Sequence, residues 1–124
     1  MTNDKPCVLI VDDDILNREL LQTVFERSGF KVLYTSNGAS AITMAKEQLP
    51  TVIVCDVRMG AMSGYEVCAA LKQSPETSAI PFIILTALEN EAERQKALDV
   101  GAADFIPKMR GWQVLLERVK TLIS

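Results

Sequence analysis

Histidine is absent from the 124 residues. That excludes serine and cysteine triads of the usual kind, histidine zinc sites, and histidine as a general base or phosphate carrier. Glycine and proline are few, six and five residues, against 48% hydrophobic and 23% charged residues, so neither disorder nor a collagen-like repeat fits the composition. The three cysteines, Cys7, Cys55 and Cys68, lack ligand-like spacing and read as small buried hydrophobes in a reducing compartment. No cluster of lysine and arginine occurs and the net charge is −3, which argues against capture of nucleic acid or an anionic membrane surface. No apolar run reaches the length of a membrane span, and the first five residues lead into a strand rather than a signal-peptide core. Both observations argue for a cytoplasmic protein. Neither a GxGxxG turn nor a P-loop is present.

What is present is a repeated pattern. Short apolar runs occupy 7–11, 30–34, 52–55 and 82–85, with a weaker one at 103–106. Four of them are continuous rather than alternating, as strands buried on both faces are. Helical spacing fills the intervals. Segment 15–28 carries Leu16, Leu20, Leu21, Val24 and Phe25 and is followed by Gly29, and 39–48 is closed by Pro50. Ser63 with Glu66 forms a capping-box pattern ahead of a third helix that ends before Pro75. A fourth helix, over 89–100, is rich in charge and stops at Gly101. The last carries Trp112, Leu115, Leu116, Val119, Leu122 and Ile123 as a wide apolar stripe. Strand and helix alternate five times, which predicts an α/β fold: a doubly wound, five-stranded parallel sheet of order 2-1-3-4-5, a flavodoxin-like sandwich of five βα units. The whole of 1–124 reads as a single domain.

In such a sheet, ligands sit outside the carboxyl ends of the strands, beside the switch point between strands one and three. Strand one runs into Asp12, Asp13 and Asp14, strand three into Asp56, strand four into Thr86, and Lys108 lies just past strand five. Asp14 immediately precedes a helix and reads as its cap. Asp12, Asp13 and Asp56 would crowd one crevice, where mutual repulsion is relieved by a hard divalent cation. Carboxylates with waters, a main-chain carbonyl and phosphate oxygens suit Mg²⁺. Thr86 adds a hydroxyl donor and Lys108 a compact positive charge for a phosphoryl oxygen, and aspartate is itself a phosphoryl acceptor.

These residues carry a resemblance. L-I-V-D-D at 9–13, V-C-D-V-R-M at 54–59 with Gly64 eight residues past Asp56, I-L-T-A at 84–87 and G-A-A-D-F-I-P-K at 101–108 follow one another in the order and separation of receiver domains of two-component response regulators, chemotaxis receivers among them. The chain resembles that family over nearly its whole length. The resemblance implies that Asp56 accepts a phosphoryl group from a phosphohistidine on a sensor kinase or a histidine phosphotransfer protein. It implies that Asp13, Asp56 and the main-chain carbonyl of Arg58 bind Mg²⁺ directly, with Asp12 acting through water. Thr86, the main-chain N–H of Ala87 and Lys108 would hold the phosphoryl oxygens. Thr86 and the aromatic Phe105 would then switch the face of helix four, strand five and helix five, which meets a downstream effector; a homodimer formed there on activation is compatible with it. Such a chain is not an enzyme beyond its own phosphorylation and dephosphorylation.

Three departures from the family stand out. Gly60 replaces a common proline and is expected to loosen the loop after Asp56. Met109 replaces the proline that follows the lysine, where the family keeps a cis bond, so a trans bond or a strained cis bond is expected there. Phe105 lacks the hydroxyl of the commoner tyrosine. Competing readings are weaker. Haloacid-dehalogenase-type phosphatases want Asp-x-Asp-x-Thr/Val, which Leu16 breaks, and a flavodoxin-like carrier would not place three carboxylates in its first loop. The serious alternative is a receiver fold that works as a phosphorylation-independent docking module, with Gly60 and Met109 as its symptoms.

Overall fold

A computed structural model describes residues 5–87 and 90–124. Its elements alternate as β1 (Cys7–Val11), α1 (Ile15–Arg27), β2 (Lys31–Thr35), α2 (Gly38–Gln48), β3 (Val52–Asp56), α3 (Gly64–Lys72), β4 (Phe82–Thr86), α4 (Glu91–Asp99), β5 (Asp104–Pro107) and α5 (Trp112–Ile123), with a short 3-10 turn at Lys108–Arg110. All strand pairs are parallel, in the order β2-β1-β3-β4-β5. The expected architecture is the one found.

Continuity of the apolar runs follows from burial on both faces. Leu9, Val11, Ile53, Cys55, Phe82, Ile84 and Phe105 face a core closed by Ala41 and Ala45 of α2, Val67, Cys68 and Leu71 of α3, and Ala97 of α4. Their neighbours Val8, Ile10, Val52, Val54, Ile83, Leu85 and Ile106 face a second core closed by Leu21 and Phe25 of α1 and Leu115 and Val119 of α5. Each strand thus feeds two compartments by simple alternation. Cys55 and Cys68 are buried free thiols, as expected, and Cys7 is half-buried.

Some boundaries shift. β2 begins at Lys31 rather than 30 because the Phe30 amide donates to the Phe25 carbonyl at 2.9 Å, completing the end of α1, while its ring packs edge-on against Phe25 at 5.1 Å. β5 lies at Asp104–Pro107, one residue later than expected, in the register that sets Ile84 opposite Phe105 and Thr86 opposite Pro107. α4 ends at Asp99 with Gly101 at φ 94°, and Glu89, where that helix was expected to start, lies outside the described residues. The stripe of α1 is narrower than its sequence suggested. Leu21 and Phe25 are buried, but Leu16 is 78% and Leu20 48% exposed. Leu16 sits in the first turn, beyond the strand ends, and Leu20 falls about 100° around the helix from Leu21.

Candidate functional site

β1 and β3 are neighbours, with Val11 paired to Cys55, so the residues that follow each pair come side by side at the carboxyl edge. Those residues are Asp12 and Asp56, 1% and 9% exposed. Asp13 follows into solvent. One carboxylate oxygen from each of Asp12, Asp13 and Asp56 lies within 4.8 Å of the others. Lys108, at the start of the 3-10 turn after β5, reaches over β4 to place Nζ 3.1 Å from Asp56 Oδ2 and 3.5 Å from Asp12 Oδ2. Thr86 ends β4 between them and is buried. Arg58 and Ala87 are exposed in the segments leaving β3 and β4.

Burial raises the Asp56 carboxyl above its ordinary value; the Lys108 ammonium opposes this and the Asp12 charge adds to it. Burial pulls Lys108 down, but Asp56 and Asp12 together hold it above the usual lysine value. Three carboxylates against one ammonium leave the crevice electronegative. The donor set, all oxygen with one member open to solvent, fits a hard divalent cation that keeps several waters.

Local backbone chemistry explains the precision of this edge. Asp14 caps α1, its carboxylate accepting from the amides of Leu16 and Asn17, and so stays outside the cluster as expected. Ser63 and Glu66 close the capping box at α3. Gly64 then brings α3 close to the end of β3: its N–H donates to the Val57 carbonyl at 2.8 Å, and a Cβ there would stand 2.4 Å from the Asp56 carbonyl oxygen. Only glycine fits that approach.

Sequence reasoning did not find the groups that orient Asp12. The Asn17 amide donates to Asp12 Oδ2 at 2.5 Å, the Asp14 N–H donates to Oδ1 at 2.9 Å, and the Arg18 guanidinium, lying 5.0 Å over the Tyr34 ring, reaches the Asp12 carbonyl. The available signal was the five-residue step from Asp12 to Asn17 across one helix start.

The departures read differently in three dimensions. Gly60 adopts φ 79°, a left-handed conformation that proline cannot take. Every peptide bond among the described residues is trans, that before Met109 included, and Lys108 still meets Asp56. Phe105 is 5% exposed, packed into the α2–α3–α4 core and lining a groove of about 500 Å³ together with Asn90, Arg94, Pro107, Arg110 and Val114.

Residues 8–120 match the family model of the response regulator receiver domain. The chain belongs to the response regulator receiver domain family. Among curated relatives it is 36% identical over 115 residues to the response regulator PleD of Caulobacter vibrioides, which covers 93% of this chain and 25% of that protein. It is 33% identical over 123 residues to the probable transcriptional regulator ycf27 of Porphyra purpurea, covering 99% of this chain and 49% of that one. The receiver chain therefore spans a quarter to about half the length of these relatives. The crystal structure of a putative response regulator from Chloroflexus aurantiacus superposes with a TM-score of 0.91 at 31% identity, over 97% of this chain and 98% of that one. No helix among the described residues of the receiver is long and apolar enough to cross a membrane.

Proposed function

We propose that the chain is one phosphoacceptor receiver unit and that Asp56 takes a phosphoryl group from a phosphohistidine on a sensor kinase or phosphotransfer protein. The observation that carries this reading is the Lys108 ammonium held 3.1 Å from the Asp56 carboxylate inside a cluster of three acidic groups. An Asp56 carboxylate oxygen forms a bond to phosphorus as the bond from phosphorus to the imidazole nitrogen breaks, and the electron pair leaves with the imidazole. Asp12, Asp13, Asp56 and the main-chain carbonyl of Arg58 would hold Mg²⁺. When bound, the ion supplies charge neutralisation for the phosphoryl oxygens. Lys108 neutralises the opposite side of the group, and the Thr86 hydroxyl and the Ala87 N–H donate to its oxygens. Partial burial serves this chemistry, since each of these interactions is stronger where water is thinned.

Phosphorylation adds charge beside Thr86, and the response is a shift between two arrangements of the face bearing Phe105. That face hands the signal to an effector domain or protein, and self-association through it fits the same scheme. The only reaction in this scheme is the chain's own gain and loss of phosphate. The docking-module reading drew on Gly60 and Met109; neither displaces Lys108 from Asp56, and among the described residues no feature of the site favours it over the phosphoacceptor reading.

Intact mass spectrometry after incubation with acetyl phosphate tests the proposal. One added phosphoryl group that needs Mg²⁺ and is missing in Asp56→Asn is expected. No adduct in the wild type, combined with no binding of beryllofluoride as a phosphoryl mimic, overturns it in favour of docking without phosphorylation.

A further inference from the structure

α4 is weakly held by apolar packing. Among its described residues only Ala97 is buried, and the rest of the helix is polar or exposed. A methyl group anchors little by itself. At its far end Val100, the residue after the helix, packs against the core and its carbonyl accepts from the Cys68 thiol of α3 at 3.4 Å. At its start the tie is a long-range polar contact: the Tyr65 hydroxyl of α3 donates to Glu93 Oε1 at 2.8 Å and lies 3.2 Å from the Glu93 carbonyl oxygen, 28 residues away in sequence. Lys96 completes the cluster, 3.3 Å from Glu93 Oε2 and 5.9 Å from the centre of the Tyr65 ring.

Glu93 is used here against its local preference. Asn90 caps α4 by accepting from the Glu93 N–H at 2.9 Å, so Glu93 stands where a glutamate reaches back to close a capping box. Its counterpart in α3, Glu66, does reach back to the Ser63 amide, at 2.8 Å. Glu93 instead points across to Tyr65. The hydrogen bond from Tyr65 is the main reason its carboxyl sits below the ordinary value, with Lys96 and then Arg58 contributing. At the other end, Tyr65 is the residue after Gly64, whose N–H is bonded to the Val57 carbonyl directly behind Asp56. A continuous path therefore runs from the Asp56 backbone through Val57, Gly64 and Tyr65 to the first turn of α4.

We infer that the Tyr65–Glu93 pair is a latch that holds α4 against α3 in the unphosphorylated chain and thereby restrains the shift that phosphorylation of Asp56 favours. This rests on the phosphoacceptor reading above. A tie present in only one of two arrangements biases the equilibrium by its own net strength. Removing the hydroxyl while keeping the ring frees Glu93 to cap its own helix and leaves the α3 side of the core filled.

Two measurements on the whole chain test it, with Tyr65→Phe, Glu93→Ala and Glu93→Gln beside the wild type. Amide hydrogen exchange in the unphosphorylated proteins reads the hold on 91–99. Calorimetric titration with beryllofluoride in Mg²⁺ reads the coupling to Asp56. Tyr65→Phe and Glu93→Ala are expected to speed exchange in α4 about three- to ten-fold with α1 unchanged, and to tighten beryllofluoride binding by a similar factor, the ratio carried by one net hydrogen bond. Glu93→Gln, which keeps an acceptor for the hydroxyl, is expected to stay nearer the wild type. Unchanged exchange in α4 overturns the latch. Faster exchange with unchanged or weaker binding overturns its regulatory role and leaves a purely structural tie. If the wild type itself binds no beryllofluoride, the phosphoacceptor reading fails and the regulatory role with it, which is distinguishable because the variants are then silent for the same reason as the parent.

Discussion

Substituting Gly64 by alanine strikes the junction on which the geometry of Asp56 depends. The new Cβ would stand 2.4 Å from the Asp56 carbonyl oxygen and 3.1 Å from its carbonyl carbon. An ordinary carbon–oxygen contact is about 3.3 Å, so roughly 1 Å of separation must be found. Neither side yields easily. The carbonyl belongs to β3, paired on both sides to β1 and β4, and the helix start is fixed by the Ser63–Glu66 capping box. Overpacking of this kind costs about 1–3 kcal/mol, and the 2.8 Å hydrogen bond from Gly64 N–H to Val57 would stretch, costing about 1 more. Alanine's better helix propensity offsets up to about 1 kcal/mol. The net is about 1–4 kcal/mol, whose midpoint for a chain of this size lowers Tm by about 10 °C. Urea and thermal unfolding followed by circular dichroism measure it. Gly38→Ala is the control: its Cβ would also be crowded, but by side chains, Val67 Cγ2 at 2.8 Å and the flexible Met62 Sδ at 2.9 Å, so the loss should be about half as large. A Gly64→Ala loss no greater than that of Gly38→Ala would refute the argument that the β3–α3 junction is rigid.

Two further outcomes follow from the electrostatics. Because burial holds the Asp56 carboxyl above its ordinary value, the folded state binds that proton more tightly than the unfolded chain, and this group's contribution to wild-type stability falls as pH rises from the normal carboxylate range through the raised value. Asp56→Asn lacks the effect, so its stability should gain on the wild type across that interval and hold the gain at neutral pH; denaturant unfolding at a series of pH values measures the difference, and a constant gap counts against it. Lys108→Ala leaves Asp12 and Asp56 facing each other without a cation, a loss of about 1 kcal/mol at neutral pH given a partly exposed ammonium. Added Mg²⁺ should raise the variant's Tm more than the wild type's, and equal shifts would show that Lys108 and the ion do not act on the same charges.

Much of this was legible from residues alone, for reasons that can be named. Val8 to Val11 and Val52 to Cys55 are apolar without interruption because each alternate side chain enters a different core, and such runs demand a covered parallel sheet. Once the strand order is fixed, Asp12, Asp56, Thr86 and Lys108 must share one edge. Other features depend on contacts that sequence spacing does not encode. Leu16 and Leu20 match the period of a buried stripe yet stand in solvent, since the period says neither where the strands beneath a helix end, which leaves Leu16 uncovered, nor how wide the covered stripe is, which leaves Leu20 at its edge. Phe30 belongs to the core but not to the ladder, because the turn after α1 takes its amide. The left-handed φ of Gly60 is a backbone choice that the residue's identity permits and its neighbours in sequence do not specify. Tyr65 and Glu93 are 28 positions apart on two helices, and no local pattern announces their meeting.

The partition of the sheet into two cores bears on how such a chain can change over generations. Ile10 and Val54 answer to α1 and α5, whereas Leu9 and Ile53, their immediate neighbours, answer to α2, α3 and α4. A volume lost in one compartment can be restored only by partners in that compartment, and substitutions on opposite sides of the sheet that lie more than about 7–10 Å apart share none, so their costs add. Adjacent residues of a single strand therefore drift as members of separate lineages of compensation, and the helices that carry Tyr65 and Glu93 can be retuned while the layer of α1 and α5 keeps its own history.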